Sequence, residues 1–196
     1  GATLRLSAPG LPDMTLAPPG DDVASVPVRV WNDGVSARPA PDPANEWISE
    51  LLGARCTLVH LPDSAERRVG AGYRPAGVIA FADAFPFLLV SEGSLAELNR
   101  RLAAPVPMDR FRPNLVVSGC APHAEDSWRR IRIGDVPFTV AKPCSRCVVI
   151  TTDQATAERA REPLATLAAY RLRDGKVMFG QNLIHESPGE LAVGQP

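Results

Sequence analysis

Cysteine is scarce in this chain, and long apolar segments are missing. Four cysteines in 196 residues are too few for a secreted domain stapled by disulfides, and this scarcity predicts a cytoplasmic protein. No apolar run approaches the roughly 18–20 residues that a helix needs to span a bilayer, and no signal peptide is visible. A membrane partner is therefore not expected.

Neither sign of charge is in excess, since 21 Lys and Arg stand against 22 Asp and Glu. This balance predicts no nucleic-acid partner. An initiator methionine is also missing, and "GATLRLSAPG" enters a strand-like pattern at once, so we expect the sequence to be a fragment. With 45% hydrophobic residues, the chain is long enough to bury a core without disulfides.

Proline, in contrast, is abundant, at 20 residues. Because proline donates no ladder hydrogen bond and breaks helix interiors, this content predicts short strands joined by turns. Segments such as "ASVPVRVWND", "FPFLLVS" and "CVVITTD" have strand patterns. Helices are predicted at "DPANEWISELLGA", with Asp42 or Asn45 as N-cap, after "FPFLLVS", with Ser94 as N-cap, and at "ATAERAREPLATLAAYR". The predicted fold is mainly β with helices (α+β), a β-barrel or sandwich rather than a doubly wound sheet.

The segment "FTVAKPCSRCVVITTD" holds Cys144 and Cys147 in C-x-x-C spacing. A structural zinc site needs four ligands, but the other cysteines and the histidines are scattered singly. A thioredoxin-like dithiol precedes a helix, whereas the β-branched "VVITT" follows here. Taken alone, the motif favours two partly buried thiols that act as small hydrophobes.

The neighbouring residues favour a ligand-binding role for these thiols instead. Lys142 and Arg146 bracket the cysteines, and positive charge favours the thiolate, which is the form that binds metals. In "DRFRPNLVVSG", Arg112 stands between Phe111 and Pro113. An arginine in this setting is suited to clamp a carboxylate or phosphate, although an ordinary ion pair at a barrel rim is an open alternative.

A third motif, "FGQN", places a glycine beside two amides, which suits close approach of the backbone to a ligand. In order, "FPFLLVSEGSLAELNRRL", "FRPNLVVSG", "EDSWRRIRIGDVPF", "KPCSRCVVITTD" and "FGQNLI" resemble the MOSC domain family, named after the C-terminal domain of molybdenum-cofactor sulfurases. The resemblance is to the branch of the mitochondrial amidoxime-reducing component and its bacterial relatives. Residues 77–196 resemble the MOSC β-barrel domain, and residues 1–76 resemble part of the β-rich N-terminal region.

This resemblance implies a fold that binds the molybdenum cofactor (Mo-molybdopterin), and at family level also pyridoxal phosphate. It implies that Cys147 is the molybdenum ligand and the catalytic residue. The cofactor-binding residues that it implies are Arg112, Asn114, Ser145, Arg146, Asp83, Phe85, Gln181 and Asn182. Relatives have a preceding stretch with basic residues that grip the cofactor phosphate. None is present here, so the resemblance implies that the cofactor is bound weakly or is absent from this fragment.

The activity implied by the resemblance is molybdenum-dependent reduction of small N-hydroxylated substrates, such as amidoximes. Electrons are expected from a separate redox protein of the ferredoxin or cytochrome type, because no flavin or iron–sulfur motif is present. Two alternatives stay open. One is a non-catalytic module that binds and delivers the cofactor or a persulfide sulfur on Cys147, and the other is an interaction domain with two inert thiols.

Overall fold

The computed structural model describes residues 3–196, which form two compact units. The N-terminal unit comprises the chain up to Arg67 together with Ile79–Asp83, and the C-terminal unit comprises Arg68–Val78 and Ala84–Pro196. No helix within the described range is long and apolar enough to cross a bilayer.

The N-terminal unit consists of short antiparallel strands and one helix. Its elements are β1 (Leu4–Ala8), β2 (Leu11–Leu16), β3 (Val26–Val30), β4 (Asp33–Pro39), α1 (Asp42–Leu52) and β5 (Val59–His60). β1 pairs with β2, and β3, β4 and β5 form a second sheet in that order. The prolines between these strands fit the prediction of short strands joined by turns.

Helix α1 follows Pro41, which supplies no side-chain cap, and ends at Gly53 in the left-handed conformation (φ 62°). The sequence predicted Asp42 or Asn45 as the N-cap, and this prediction is wrong. Asn45 instead clamps the chain on both sides of the helix: its amide nitrogen donates to the Ala40 carbonyl, and its oxygen accepts from the Leu58 N–H, both at 2.9 Å.

Two short strands, β6 (Arg67–Arg68) and β7 (Val78–Ile79), form a two-stranded sheet where the chain passes between the units. Arg67 is buried, and its guanidinium donates to the Asp33 carboxylate at 2.7 Å and to the Asp83 carbonyl at 2.9 Å. These contacts fasten the 79–83 segment to the N-terminal unit.

The C-terminal unit is built on one six-stranded sheet that curls into a half-barrel. Its further elements are β8 (Phe87–Ser91), α2 (Glu92–Asn99), β9 (Leu115–Val117), β10 (Arg130–Ile133), β11 (Val136–Arg146), α3 (Leu164–Arg171), β12 (Leu172–Arg173) and β13 (Lys176–His185). The strand order is β10-β11-β13-β8-β9, and β12 also pairs with β13. Only the β8–β9 pair in this sheet is parallel among the described residues.

Two apolar clusters cover this sheet. Successive side chains of a strand point to opposite faces, and Leu89 and Val90 of β8 accordingly enter different clusters. The first cluster comprises Val90, Leu98, Val106, Phe111, Ile150, Leu167 and Phe179, and the second Leu89, Val136, Phe138 and Leu183. This architecture confirms the predicted mainly β, α+β class.

Three local predictions need correction. Helix α2 is capped by Ser91, whose hydroxyl accepts from the Ser94 N–H at 3.0 Å, so Ser94 is not the cap. The strand predicted after Cys147 is a 3₁₀ helix over Val148–Thr151. Helix α3 begins only at Leu164, after a turn in which the Asp153 carboxylate accepts N–H groups of the residues that follow it.

Candidate functional site

The two thiols of the C-x-x-C motif lie in different environments. Cys144 is part of strand β11 and half-buried, and its sulfur accepts a hydrogen bond from Arg146 Nη1 at 3.1 Å. Cys147 follows the end of the strand and begins the 3₁₀ helix, and it is exposed. Within residues 3–196 its sulfur has no hydrogen-bond partner, and both thiols are free. Cys147 is therefore the thiol that is open to a ligand from outside.

Arg146 joins this motif to the "FRPN" segment. Its Nη2 donates to the Phe111 carbonyl at 2.7 Å, and its guanidinium lies 5.7 Å from the centre of the Phe111 ring. Because Cys147 follows Arg146 and Arg112 follows Phe111 in sequence, this bridge brings the predicted metal ligand and the predicted anion clamp to one region of the unit. Arg146 itself was predicted to contact a cofactor, but its Nη1 and Nη2 donate to Cys144 and to the Phe111 carbonyl, and its buried Nε has no hydrogen-bond partner among the described residues.

Arg112 has an unusual backbone and a free side chain. It ends the 3₁₀ helix Met108–Phe111 in the left-handed conformation (φ 53°, ψ 48°), and its N–H donates to the Asp109 carbonyl at 2.9 Å. The guanidinium is exposed and has no ion pair in the described part of the chain. It lines an open cavity of about 500 Å³ together with Met108, Asp109, Pro113 and Gln154.

Arg110, two residues earlier, behaves differently. It is buried and forms an ion pair with Asp153 at 2.6 Å. The backbone N–H groups of Thr156 and Ala155 hold the pKa of Asp153 below its usual value, and the charge of Arg110 adds to this effect. Of the two arginines in this segment, Arg110 stabilises the fold through its ion pair, whereas Arg112 faces solvent.

The asparagines at the predicted site lie on either side of Leu88 in β8. Asn114 imitates a strand residue, because its N–H donates to the Leu88 carbonyl at 2.9 Å and its side-chain oxygen accepts the Leu88 N–H at 2.8 Å. Asn182 of β13 pairs in register with Leu88 and with Lys142. Its amide nitrogen donates to the Pro143 carbonyl at 3.5 Å, beside Cys144. The structure therefore brings Asn182 and the C-x-x-C strand together.

The other predicted residues have contacts of their own. Gln181 is fully buried, and its amide nitrogen donates to the Asp126 carboxylate at 2.8 Å, so this donor has a partner within the protein. Asp83 belongs to the N-terminal unit and accepts a hydrogen bond from Trp31 Nε1 at 3.1 Å. Phe85 is buried against Tyr73. Ser145 is exposed on β11, opposite Met178.

Three participants were missed as site residues, namely two backbone carbonyls and one lysine. The Phe111 and Pro143 carbonyls position the site, but a backbone acceptor leaves no trace in the sequence. Lys142 is an exposed cation in the strand that leads to Cys144, and its ammonium lies over the rings of Phe85 and Tyr73. Its place next to the C-x-x-C motif was the available signal.

The residues present fit a molybdenum cofactor. A free, exposed thiol is a suitable soft ligand for such a metal, and Cys147 provides it. An exposed arginine without an acidic partner suits the phosphate of the cofactor, and Arg112 is such a residue. No group of three or more His, Cys, Asp or Glu that could hold a metal ion occurs among residues 3–196.

Comparison with known proteins identifies the family. Residues 76–196 match the MOSC domain. The chain is 39% identical over 210 residues to mitochondrial amidoxime-reducing component 1 of Mus musculus, covering 99% of this chain and 62% of that protein. It is 38% identical over 177 residues to molybdenum cofactor sulfurase of Oryza sativa subsp. japonica, covering 81% of this chain and 22% of that protein.

The human amidoxime-reducing component 1 gives the same result as the mouse protein, at 39% identity over 211 residues, with 100% of this chain and 63% of that protein covered. The chain therefore spans less than two thirds of the length of these relatives. The match to the MOSC domain extends over more than half of the chain, and the relatives associate it with molybdenum-cofactor proteins. The chain belongs to the MOSC domain family.

Proposed function

We propose that this chain is the cofactor-binding part of a molybdenum oxidoreductase that reduces N-hydroxylated compounds, with Cys147 as the metal ligand. The observation that supports this most directly is the exposed, unpartnered Cys147 sulfur, joined through the Arg146–Phe111 bridge to the exposed Arg112. Relatives named amidoxime-reducing components align with nearly the whole chain.

In this proposal each side chain has a distinct task. Arg112 binds the cofactor phosphate with parallel N–H donors. The Asn182 amide presents a polar edge to the pterin, and the fixed Arg146 side chain holds the strand end from which Cys147 projects. When bound, the cofactor supplies the two-electron reduction of the N–O bond. With two protons, an amidoxime then yields an amidine and water, and the two electrons come from a separate ferredoxin- or cytochrome-type protein.

The test compares two single variants made in a host that synthesises molybdenum cofactor. Cys147→Ala is expected to remove molybdenum from the purified protein and to abolish turnover of benzamidoxime with reduced methyl viologen as donor. Cys144→Ala is the matched control and is expected to keep both, because the Cys144 sulfur is engaged by Arg146. Equal loss in the two variants would contradict the proposal and favour a site that needs both thiols.

A second candidate is a carrier that binds the cofactor or a persulfide and delivers it. The observation that favours it is the similarity to molybdenum cofactor sulfurase, together with the accessibility of Cys147. Mass spectrometry of the intact protein would then show an added sulfur atom on Cys147, or cofactor would copurify, and no benzamidoxime would be turned over. A protein without molybdenum or sulfur under any expression condition would instead be an interaction domain with inert thiols.

A further inference from the structure

Lys142 is a cation whose position is fixed although it faces solvent. Its ammonium lies 5.2 Å from the centre of the Phe85 ring and 5.7 Å from that of Tyr73. The two rings meet edge to face, with their centres 5.0 Å apart. Cation–π contact over two faces restrains a side chain that is otherwise flexible.

This lysine keeps its hydrogen-bonding capacity. An ammonium has three N–H donors, and within residues 3–196 no carboxylate forms a salt bridge with Lys142. Two neighbouring arginines are used differently: Arg146 donates to the Phe111 carbonyl and to Cys144, and Arg110 is paired with Asp153. Lys142 is thus a restrained cation with free donors.

Its position in the sheet relates it to the thiols. Lys142 pairs in register with Asn182, whose amide reaches the Pro143 carbonyl. Cys147 follows the last residue of β11 and comes five residues after Lys142, so the two Cα atoms are at most about 17 Å apart at a strand rise of roughly 3.3 Å per residue. A ligand of moderate size can therefore contact the lysine while its other end is near Cys147.

We propose that Lys142, held on the Phe85–Tyr73 pair, is a specificity-determining residue that binds a carboxylate on the substrate. This inference rests on the proposed function and deepens it, since it names N-hydroxylated compounds with an anionic group as the preferred class. The same ammonium chemistry suits the phosphate of the cofactor, but Arg112 is already exposed and unpaired for that group. The substrate is therefore the source of the anion that Lys142 binds.

Direct binding is measured first, without turnover. The sequence has only two lysines, Lys142 and Lys176. Reductive ¹³C-methylation keeps their charge and labels both, together with the terminal amine. On titration with 4-carboxybenzamidoxime, the Lys142 resonance, assigned by its loss in Lys142→Gln, is expected to shift in a saturable manner while that of Lys176 stays unchanged. Benzamidoxime, which lacks the carboxylate, is expected to shift neither.

Kinetics then separate this role from cofactor binding. Lys142→Gln is expected to raise KM for 4-carboxybenzamidoxime about ten-fold, the size of one charge-assisted hydrogen bond, and to leave kcat and the KM for benzamidoxime nearly unchanged. Lys142→Arg keeps the cation and is expected to restore most of the preference. Lys176→Gln, an exposed lysine at the start of β13, is the matched control and should change neither KM.

Three results would overturn the inference. The first is a Lys142 resonance that does not respond to the carboxylate. The second is an equal rise in KM for both compounds. The third is loss of molybdenum from Lys142→Gln, which would assign the lysine to the cofactor phosphate. Because the resonance titration needs neither metal nor turnover, an inactive protein whose Lys142 still binds the carboxylate would reject the proposed function and not this binding site.

Discussion

Gln181 and Asn182 are neighbours on strand β13, yet they belong to two different polar regions of the C-terminal unit. Gln181 belongs to what we call the closed cluster, in which each carboxylate accepts hydrogen bonds from more than one side chain. Its members are Ser91, Ser94, Glu125, Asp126, Arg171 and Gln181. Asn182 belongs to an open group, with an exposed thiol at Cys147 and a free cation at Arg112.

In the proposed function, one strand serves structure on one side and ligand binding on the other. Glu125 is buried and receives hydroxyl hydrogen bonds from Ser94 at 2.6 Å and Ser91 at 3.0 Å. The Asp126 carboxylate forms a salt bridge with Arg171 at 2.8 Å and accepts a hydrogen bond from the Gln181 amide at 2.8 Å. A buried polar cluster stabilises a fold only when its members are satisfied, whereas a binding site needs donors that the protein has left free. The predictions that follow test this division.

The largest effect is expected from breaking the closed cluster at Arg171. This side chain is buried and pairs with Asp126, so Arg171→Ala leaves a partly buried carboxylate with less compensation and should cost about 3–5 kcal/mol of unfolding free energy. Urea denaturation measures it. Arg173→Ala removes a cation from the same carboxylate, but Arg173 is half exposed, so its cost should stay below about 1 kcal/mol. Similar losses in both variants would contradict a closed cluster.

The neighbouring amides give the next largest contrast. Gln181→Leu removes a buried donor from Asp126 and should cost about 1–3 kcal/mol of stability. Asn182→Leu loses one hydrogen bond at 3.5 Å, so its unfolding free energy should change by less than about 1 kcal/mol, while molybdenum content falls. Denaturation curves and metal analysis of the same two preparations check both statements. A loss of molybdenum in Gln181→Leu at unchanged stability would reverse the assignment.

Two substitutions of Arg112 separate the contribution of its guanidinium to cofactor binding from the strain of its left-handed backbone. Arg112→Ala and Arg112→Gly both remove the guanidinium, and each should lower molybdenum occupancy about ten-fold at limiting cofactor. Only glycine tolerates the left-handed backbone found here without cost, so Arg112→Gly should be about 1 kcal/mol more stable than Arg112→Ala. Full occupancy together with a large loss of stability would mean that Arg112 is structural.

The smallest effect concerns pH. Burial lowers the pKa of His123, with Arg171 acting in the same direction and Glu125, Asp126 and Glu97 opposing it. The unfolded chain therefore binds this proton at higher pH than the folded chain, so stability is fully present above the unfolded value of about 6.5 and declines as pH falls below it. His123→Phe should flatten this part of the profile in urea midpoints between about pH 7.5 and 5.5. An unchanged slope would assign the pH dependence to another group.

Much of the fold was predictable, because it depends on local patterns. The stop of α1 at Gly53 is visible in the sequence, and so is the strand pattern that leads into α2. The cap of α2 was misplaced because Ser91 and Ser94 both precede helix-compatible residues, and only the extended backbone of Ser91, whose hydroxyl accepts the Ser94 N–H, decides between them. The β-branched run after Cys147 became a 3₁₀ helix because Ile150 packs into the first apolar cluster, and this tertiary contact overrides local propensity.

The site was predictable in its membership more than in its geometry. The "FGQN" motif suggested two equivalent amides, although strand alternation sends Gln181 and Asn182 to opposite faces. The left-handed backbone of Arg112 has no signature in the sequence, since glycine is the residue expected there. The domain boundary at residue 77, the roles of the site residues, the cytoplasmic location and weak cofactor binding stay predictions.

The path of the chain between the units also governs how the protein can be cut. The chain changes unit after Arg67, after Val78 and after Asp83. A fragment made to the limits of the MOSC match would contain residues 76–196. It would keep the Ile79–Asp83 segment, which belongs to the N-terminal unit. It would also lose residues 68–75 of the C-terminal unit, among them Val69, which packs on Gly77. The units are interleaved along the chain, so neither can be excised intact by one cleavage, and limited proteolysis should yield nicked protein that stays associated before it yields a separate domain.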